Sequence, residues 1–268
     1  MLESKELAAD RELDVTLSNP DAGECARRLM SYLADQYGTN FISGQYCDGG
    51  LYGHEMACIF KATGKFPAMV GLDMMEYFPS RVANGSEGKS ILLSDMDAVA
   101  KELQTLRDAK VPILWRPLHE ASGGWFWWGG SGAEAYKWLW KLMYERMTDY
   151  FELDNLIWVW NAQSGEWYPG DEYVDIAAID IYNAAHDYGA SPAMLSDMHG
   201  WTDGVKMVTM SECATMPDPD LIVRDNAYWL WFAVWNWDFI VKNGTPELSD
   251  AFTDYYMMEK VYNSEVTV

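Results

Sequence analysis

Short, continuous apolar runs alternate with amphipathic stretches along the chain. From Asp21, whose side chain suits an N-cap, Ala22, Cys25, Ala26, Leu29, Met30 and Leu33 recur at helical spacing, and Gly38 closes the stretch, so a helix is predicted there. A strand FISGQ (41–45) should follow. FPAMVGLDMM (66–75) is apolar enough to predict a parallel strand buried on both faces. Residues 76–93 read as an irregular connection without a strand. Ser94 then reads as an N-cap with Asp97 three residues on, opening a helix that turns Met96, Val99, Ala100, Leu103 and Leu106 inward. A strand VPILWRPLHE (111–120) runs into the aromatic loop ASGGWFWWGG. A helix over 133–150 follows, with Ala135, Leu139, Leu142, Met143 and Met147 inward. NLIWVWN (155–161), VDIAAIDIY (174–182), VKMVTMSE (205–212) and LWFAVWNWD (230–238) bring the predicted strands to seven, with a helix-like stretch over 220–228 before the last.

Strands alternating with helices predict an α/β fold. Polar or aromatic clusters stand at the C-terminal end of each predicted strand: Gln45, Asp73, Arg116 with His119 and Glu120, Trp160 with Asn161, Asp180 with Tyr182, Glu212, and Trp235 with Trp237. (β/α) barrels assemble their active sites from those ends, whereas an open doubly wound sheet gathers its ligand at one switch point. The expectation is a (β/α)8 TIM-barrel type fold with only seven strands counted. The 268 residues match one barrel, and no Pro/Ser/Gly-rich linker interrupts them, so residues 1–268 are read as a single domain.

With 19 basic against 41 acidic side chains, the net charge of −22 repels polyphosphates, and neither nucleic acid nor an anionic membrane is expected as a partner. No apolar run approaches the roughly 18 residues of a membrane span, and MLESKELAADRELD is too polar for a signal-peptide core. Cys25, Cys47, Cys58 and Cys213 form no CxxC pair, and the Asp-rich segments lack calcium-loop spacing, so no metal and no cofactor is expected. The departure from ordinary composition is 14 Trp and 16 Tyr. Aromatic rings offer flat apolar faces to the C–H faces of sugars, so composition leans toward carbohydrate.

Glu120 precedes Ala-Ser-Gly-Gly-Trp-Phe-Trp-Trp-Gly, so its carboxyl is expected to face a wall of indoles that raises its pKa. Glu212, beside Ser211, has no such wall and is the better candidate to stay ionised. Two carboxyls in opposed environments suit glycoside hydrolysis, one as proton donor and the other as nucleophile. Each residue also has an ordinary reading: either glutamate as a salt-bridge or cap residue, His119 as a rim histidine, Tyr182 as a packing residue, Asp180 as an orienting group. Trp125, Trp127 and Trp128 read as a core patch only if all three turn inward, which three indoles in four residues after two glycines do not allow.

The segments WRPLHEASGGWFWWGG (115–130), NLIWVWNAQSGEWYPGDEYVDIAAIDIYN (155–183) and KMVTMSECATMPDPDL (206–221) resemble glycoside hydrolase family 26, and FISGQ, GKFPAMVGLDMMEY and KVYNSEVTV extend the likeness over nearly the whole chain. The resemblance implies a barrel with a retaining two-glutamate mechanism and endo-β-1,4-mannanase activity on a mannan-type polysaccharide. By matching position Glu120 resembles the acid/base and Glu212 the nucleophile. His119 resembles the histidine preceding the acid/base, Tyr182 the tyrosine holding the nucleophile, and Trp125 the tryptophan lining the cleft. Arg116, Trp128, Trp160, Asn161 and Trp235 fall in the same segments as substrate-binding candidates. Family members carry an additional helix and strand where this chain has only ANGSEGKS, so one αβ unit is missing around residues 83–90. Hydrolysis of mixed-linkage β-glucan or of β-1,3-xylan, and a carbohydrate-binding barrel without turnover, stand as alternatives. A monomer acting outside the cell, its leader removed, is expected, with a cytoplasmic location left open.

Overall fold

Seven strands form among the described residues, most of them on apolar runs and β1 on the mixed sequence ISGQY: β1 Ile42–Tyr46, β2 Met69–Gly71, β3 Ile113–Trp115, β4 Leu156–Trp160, β5 Ile176–Ile181, β6 Met207–Cys213 and β7 Trp231–Val234. The computed structural model describes residues 12–73 and 86–268. The chain divides into two compact units, one made of residues 1–34, 74–178 and 201–207 and the other of 35–73, 179–200 and 208–268.

In the first unit the first half of β5 pairs in parallel with β4, and β4 with β3, through Val159↔Ile176 and Leu114↔Ile157. All five residues of β4 are buried. The helix Ala133–Glu145 covers this strand: Trp140 and Tyr144 pack on Trp158 with ring centroids 5.7 and 5.0 Å away. Asp175 is wholly buried and accepts the backbone N–H groups of Ser18 at 2.5 Å and Trp158 at 2.7 Å, which ties the N-terminal segment to the β4 ladder.

In the second unit the order is β2-β1-β7-β6 followed by the second half of β5. β1 is parallel to β2 through Gln45↔Val70 and to β7 through Gln45↔Val234, while β6 meets β7 through Cys213↔Val234. β6 and β7 are buried throughout. β2, with β1 as its strand partner, is only half-buried, as a terminal strand is. Helices His54–Thr63, Pro192–Trp201, Pro219–Asp225 and Tyr255–Asn263 belong here. Gly64 stops the first of them in a left-handed conformation, φ 70°, donating its N–H to the Phe60 carbonyl.

Several sequence expectations change. The strand expected over 66–75 shortens to Met69–Gly71 and is not buried on both faces; Leu72 and Asp73 are exposed, and Met74 and Met75 lie outside the described residues. Residues 86–93, expected to be irregular, are helical, because the helix expected from Ser94 already begins at Ser86 and runs to Asp108; residues 76–85 are outside the described residues. Ser94 is therefore mid-helix rather than a cap. Asp97 receives Arg146 instead, Nε at 2.5 Å and Nη2 at 2.8 Å. Met96, Val99, Ala100 and Leu103 are buried as expected, but Leu106 is exposed. The strand over 111–120 stops at Trp115, since Pro117 has no N–H for a ladder and Leu118 takes a left-handed φ of 54°. The helices at 54–63, 192–201 and 255–263 escaped notice because they are short and their apolar residues run consecutively, as in MACIF, AML and YYMM, instead of recurring at helical spacing.

Replacing Asp175 with Ala should leave two buried N–H groups without an acceptor and destabilise the protein by about 3 kcal/mol in urea unfolding, whereas Asp175→Asn, which keeps an acceptor oxygen, should lose less.

Candidate active site

The first unit carries one cluster of candidate residues, all beyond the C-terminal ends of β3 and β4. Arg116 directly follows β3, and Pro117, Leu118, His119 and Glu120 form a loop in which Leu118 and Glu120 both adopt left-handed backbone, φ 54° and 51°. Such conformations cost of order 1 kcal/mol each for residues with a side chain. The loop is held by the end of β4, where the Asn161 carbonyl and Oδ1 accept the Glu120 N–H at 2.8 and 3.3 Å. Glu120 is thus not a strand residue, as expected, but a loop residue five positions past the strand and pinned to the next one.

Its carboxyl does not face indole carbon alone. Trp125, 65% exposed, donates its Nε1–H to Glu120 Oε2 at 3.0 Å. The indole folds back over Gly123, where a Cβ would lie 2.1 Å from the ring, so only glycine leaves room for this arrangement. Trp128 turns inward: its Nε1–H donates to the His119 carbonyl at 2.7 Å and its ring stacks on Phe126 at 4.4 Å. His119 meets Phe126 edge-on at 4.7 Å. Burial first, and the positive charge of Arg116 second, push the His119 pKa far below its ordinary value, so the ring is neutral. The three indoles therefore do not all turn inward, as expected: Trp125 is exposed, Trp127 half-buried and Trp128 buried. Trp160 is wholly buried, edge-on to Tyr168 at 4.9 Å, and is a core side chain rather than a surface on which a sugar could lie.

The second cluster stands on the second unit. Glu212 is the next-to-last residue of β6 and is 3% exposed. Tyr182, the first residue after β5, donates its hydroxyl to Glu212 Oε2 at 2.7 Å, and its ring is set edge-on against Phe239 at 5.6 Å. Below them Ser211 Oγ donates to Asp180 Oδ1 at 2.7 Å. Trp235 follows β7; its ring tilts against Tyr46 at 5.0 Å, and its carbonyl, with that of Val234, accepts from the Gln45 amide. Sequence reasoning passed over Phe126 and Phe239, which brace His119 and Tyr182, because a phenylalanine in a loop gives no chemical signal.

A family model for glycosyl hydrolase family 26 matches residues 18–91 and 83–261. The chain belongs to glycosyl hydrolase family 26. The family match comes in two pieces that overlap at 83–91. A mannan endo-1,4-β-mannosidase of Thermothelomyces thermophilus is 34% identical over 316 aligned positions, covering 93% of this chain and 63% of that protein. The alignment is longer than the chain's own 268 residues, so that relative carries segments absent here. The chain spans between about half and two thirds of the length of the curated relatives it matches. Among solved structures, a Podospora anserina β-(1,4)-mannanase matches with a TM-score of 0.86 at 33% identity, covering 97% of this chain and 69% of that one. A β-mannanase from a symbiotic protist of the termite Reticulitermes speratus, solved with a gluco-manno-oligosaccharide, matches with a TM-score of 0.86 at 28% identity and 97% coverage of both chains. The family 26 fold here is α/β of the TIM-barrel type, with seven strands among the described residues.

A neutral, buried His119 sets a pH dependence. Below about pH 6.5 the unfolded chain binds a proton at this position that the native state refuses, so stability falls on acidification by up to about 1.4 kcal/mol per pH unit. Urea unfolding at a series of pH values should show that slope reduced by about one proton in His119→Gln; an unchanged slope would mean that the ring protonates in place.

Proposed function

We propose that this family 26 chain is an endo-acting β-1,4-mannanase that hydrolyses its polysaccharide with retention of configuration. The observation that carries the reading is the Tyr182 hydroxyl on Glu212 Oε2 at 2.7 Å, which orients a buried strand-end carboxylate as a nucleophile requires. The names of the relatives, mannan endo-1,4-β-mannosidase and β-mannanase, support the substrate.

In the first step the Glu120 carboxyl gives its proton to the glycosidic oxygen while Glu212 attacks the anomeric carbon, breaking the bond to the leaving sugar. In the second, Glu120 as carboxylate takes a proton from water, which attacks the same carbon and releases Glu212. Trp125 serves twice, its N–H holding the Glu120 carboxyl and its exposed face offering apolar surface to a sugar ring. His119, neutral and packed on Phe126, sets the loop geometry behind Glu120, with Arg116, Trp128 and Asn161 fixing the same loop and Trp235 walling the second cluster. A polymer too large to enter a cell intact places the site of action outside it, and one chain supplies both carboxyls, so a monomer suffices.

A reducing-sugar assay on locust-bean mannan, barley β-glucan and β-1,3-xylan tests the reading; product from mannan is expected, and product from another polymer alone would reassign the substrate. Glu120→Ala and Glu212→Ala should each lower turnover by at least about 10²-fold. Azide should return a β-glycosyl azide with the first and an α-glycosyl azide with the second, and parental activity in Glu212→Ala would refute the assignment. Gly123→Ala should force the Trp125 ring off Glu120 and cut kcat by up to about 10²-fold while the melting temperature holds.

A further inference from the structure

The dipeptide Asn-Gly occurs twice in the chain, at Asn84-Gly85, outside the described residues, and at Asn243-Gly244 in the second unit. The second pair is the tip of a hairpin in the segment after β7. Val241 and Leu248 form an antiparallel bridge, and the Lys242 N–H donates to the Glu247 carbonyl at 2.8 Å. The Thr245 N–H and hydroxyl both donate to the Lys242 carbonyl, at 3.1 and 2.7 Å. Asn243 and Gly244 have φ of 51° and 65°, so both central residues are left-handed, as a two-residue type I′ loop requires. Residues 242–247 are all exposed.

The turn accounts for these two residue types, since asparagine and glycine tolerate left-handed backbone better than others. The same pair has a chemical consequence. An asparagine carboxamide is open to attack at Cγ by the main-chain nitrogen of the next residue, and a side chain on that residue obstructs the approach. Gly244 has none, and apart from its chain neighbours nothing lies within 4 Å of the position a Cβ would take. The hairpin bonds use the backbone of Lys242, Thr245 and Glu247 and the Thr245 hydroxyl; neither the Asn243 carboxamide nor the Gly244 N–H takes part in them.

We infer that Asn243 is a site of spontaneous deamidation. The Gly244 nitrogen gives its proton to hydroxide and bonds to Asn243 Cγ, the Cγ–Nδ2 bond breaks, and the nitrogen leaves as ammonia, taking a proton from water that regenerates the hydroxide. A five-membered succinimide remains. Water then adds to one of its two carbonyls and breaks that carbonyl's bond to the Gly244 nitrogen. Opening at Cγ gives aspartate; opening at the main-chain carbonyl gives isoaspartate, whose backbone runs through Cβ and Cγ. Ring closure requires Asn243 to leave its turn conformation, so the reaction runs through the opened hairpin, and an exposed two-stranded hairpin opens at little cost.

Either product adds a carboxylate where Asn243 and Gly244 share the wall of a cavity with Asp48 and Asp238. Isoaspartate also lengthens the main chain by one carbon inside the turn, which type I′ geometry does not absorb. The disturbance reaches Val241, which is buried and donates its N–H to the Trp237 carbonyl at 2.7 Å. Conversion therefore loosens the segment from Trp237 to Ser249.

The test is peptide mapping by mass of the folded protein after incubation in alkaline and in mildly acidic buffer. The peptide holding Asn243 should gain one dalton, faster in the alkaline buffer, and should then accept a methyl group from an isoaspartyl methyltransferase. The urea-unfolded chain should react faster still. An Asn243 peptide that keeps its mass while the unfolded chain converts would overturn the site, as would conversion no faster than at Asn263, which is exposed but followed by Ser264. Asn243→Gln should abolish the gain without altering Gly244, and Gly244→Ala should slow it; a gain that persists in Asn243→Gln would assign it elsewhere. Hydrogen exchange over residues 237–249 should be faster in the aged parent than in the fresh one and unchanged on ageing Asn243→Gln. Equal exchange in fresh and fully converted parent would overturn the loosening.

Discussion

A carboxylate at the end of a buried strand must be met by donors or it destabilises the fold that holds it. Glu212 sits in that position on β6, and the placement of Tyr182 answers it. Tyr182 can reach Glu212 because β5 and β6 are neighbours, and Phe239 holds the phenol ring at the right angle. The order of strands in the second unit is therefore also the device that orients the carboxylate. Ser211 and Asp180 pair one step down the same two strands, so that buried polar groups are matched across adjacent strands rather than left to solvent.

Glu120 is positioned by different means. No strand carries it, and the loop reaches its shape through two left-handed residues and a backbone bond to Asn161 at the end of β4. The strain is offset by the aromatic packing of His119, Phe126 and Trp128 below the loop. Above the loop, Gly123 lets Trp125 fold back. One carboxyl is thus built into a rigid ladder and buried, the other is held at an exposed rim by an indole N–H.

β2 and β3, the strands on either side of the overlap between the two pieces of the family match, are the shortest of the seven among the described residues and the least buried, while β4 to β7 are closed to solvent along their whole lengths. A long helix, Ser86–Asp108, is what remains between them among the described residues, and it begins where the two pieces of the family match meet.

Seven parallel strands and the placement of polar and aromatic groups at their C-terminal ends were legible from the amino-acid sequence, and Tyr182 and Glu212, singled out there, stand in hydrogen-bond contact. Apolar runs bounded by polar residues leave a strand no other way to bury its faces, and long motifs carry residue types together. The ends of the strands were less legible. Pro117 shortens β3 through its missing N–H, yet nothing local announces that Leu118 and Glu120 turn left-handed, since that strain is compensated only by Asn161 and the aromatic stack, distant in sequence. Trp160 illustrates the same limit: an indole in WVWN reads equally as a sugar platform or as core, and only the closeness of Tyr168 decides for core. Trp237 went the other way, exposed because Asp48, almost two hundred residues earlier, holds its N–H. Periodicity and composition fix which side chains seek burial, whereas which ones obtain it depends on neighbours that tertiary structure alone brings together.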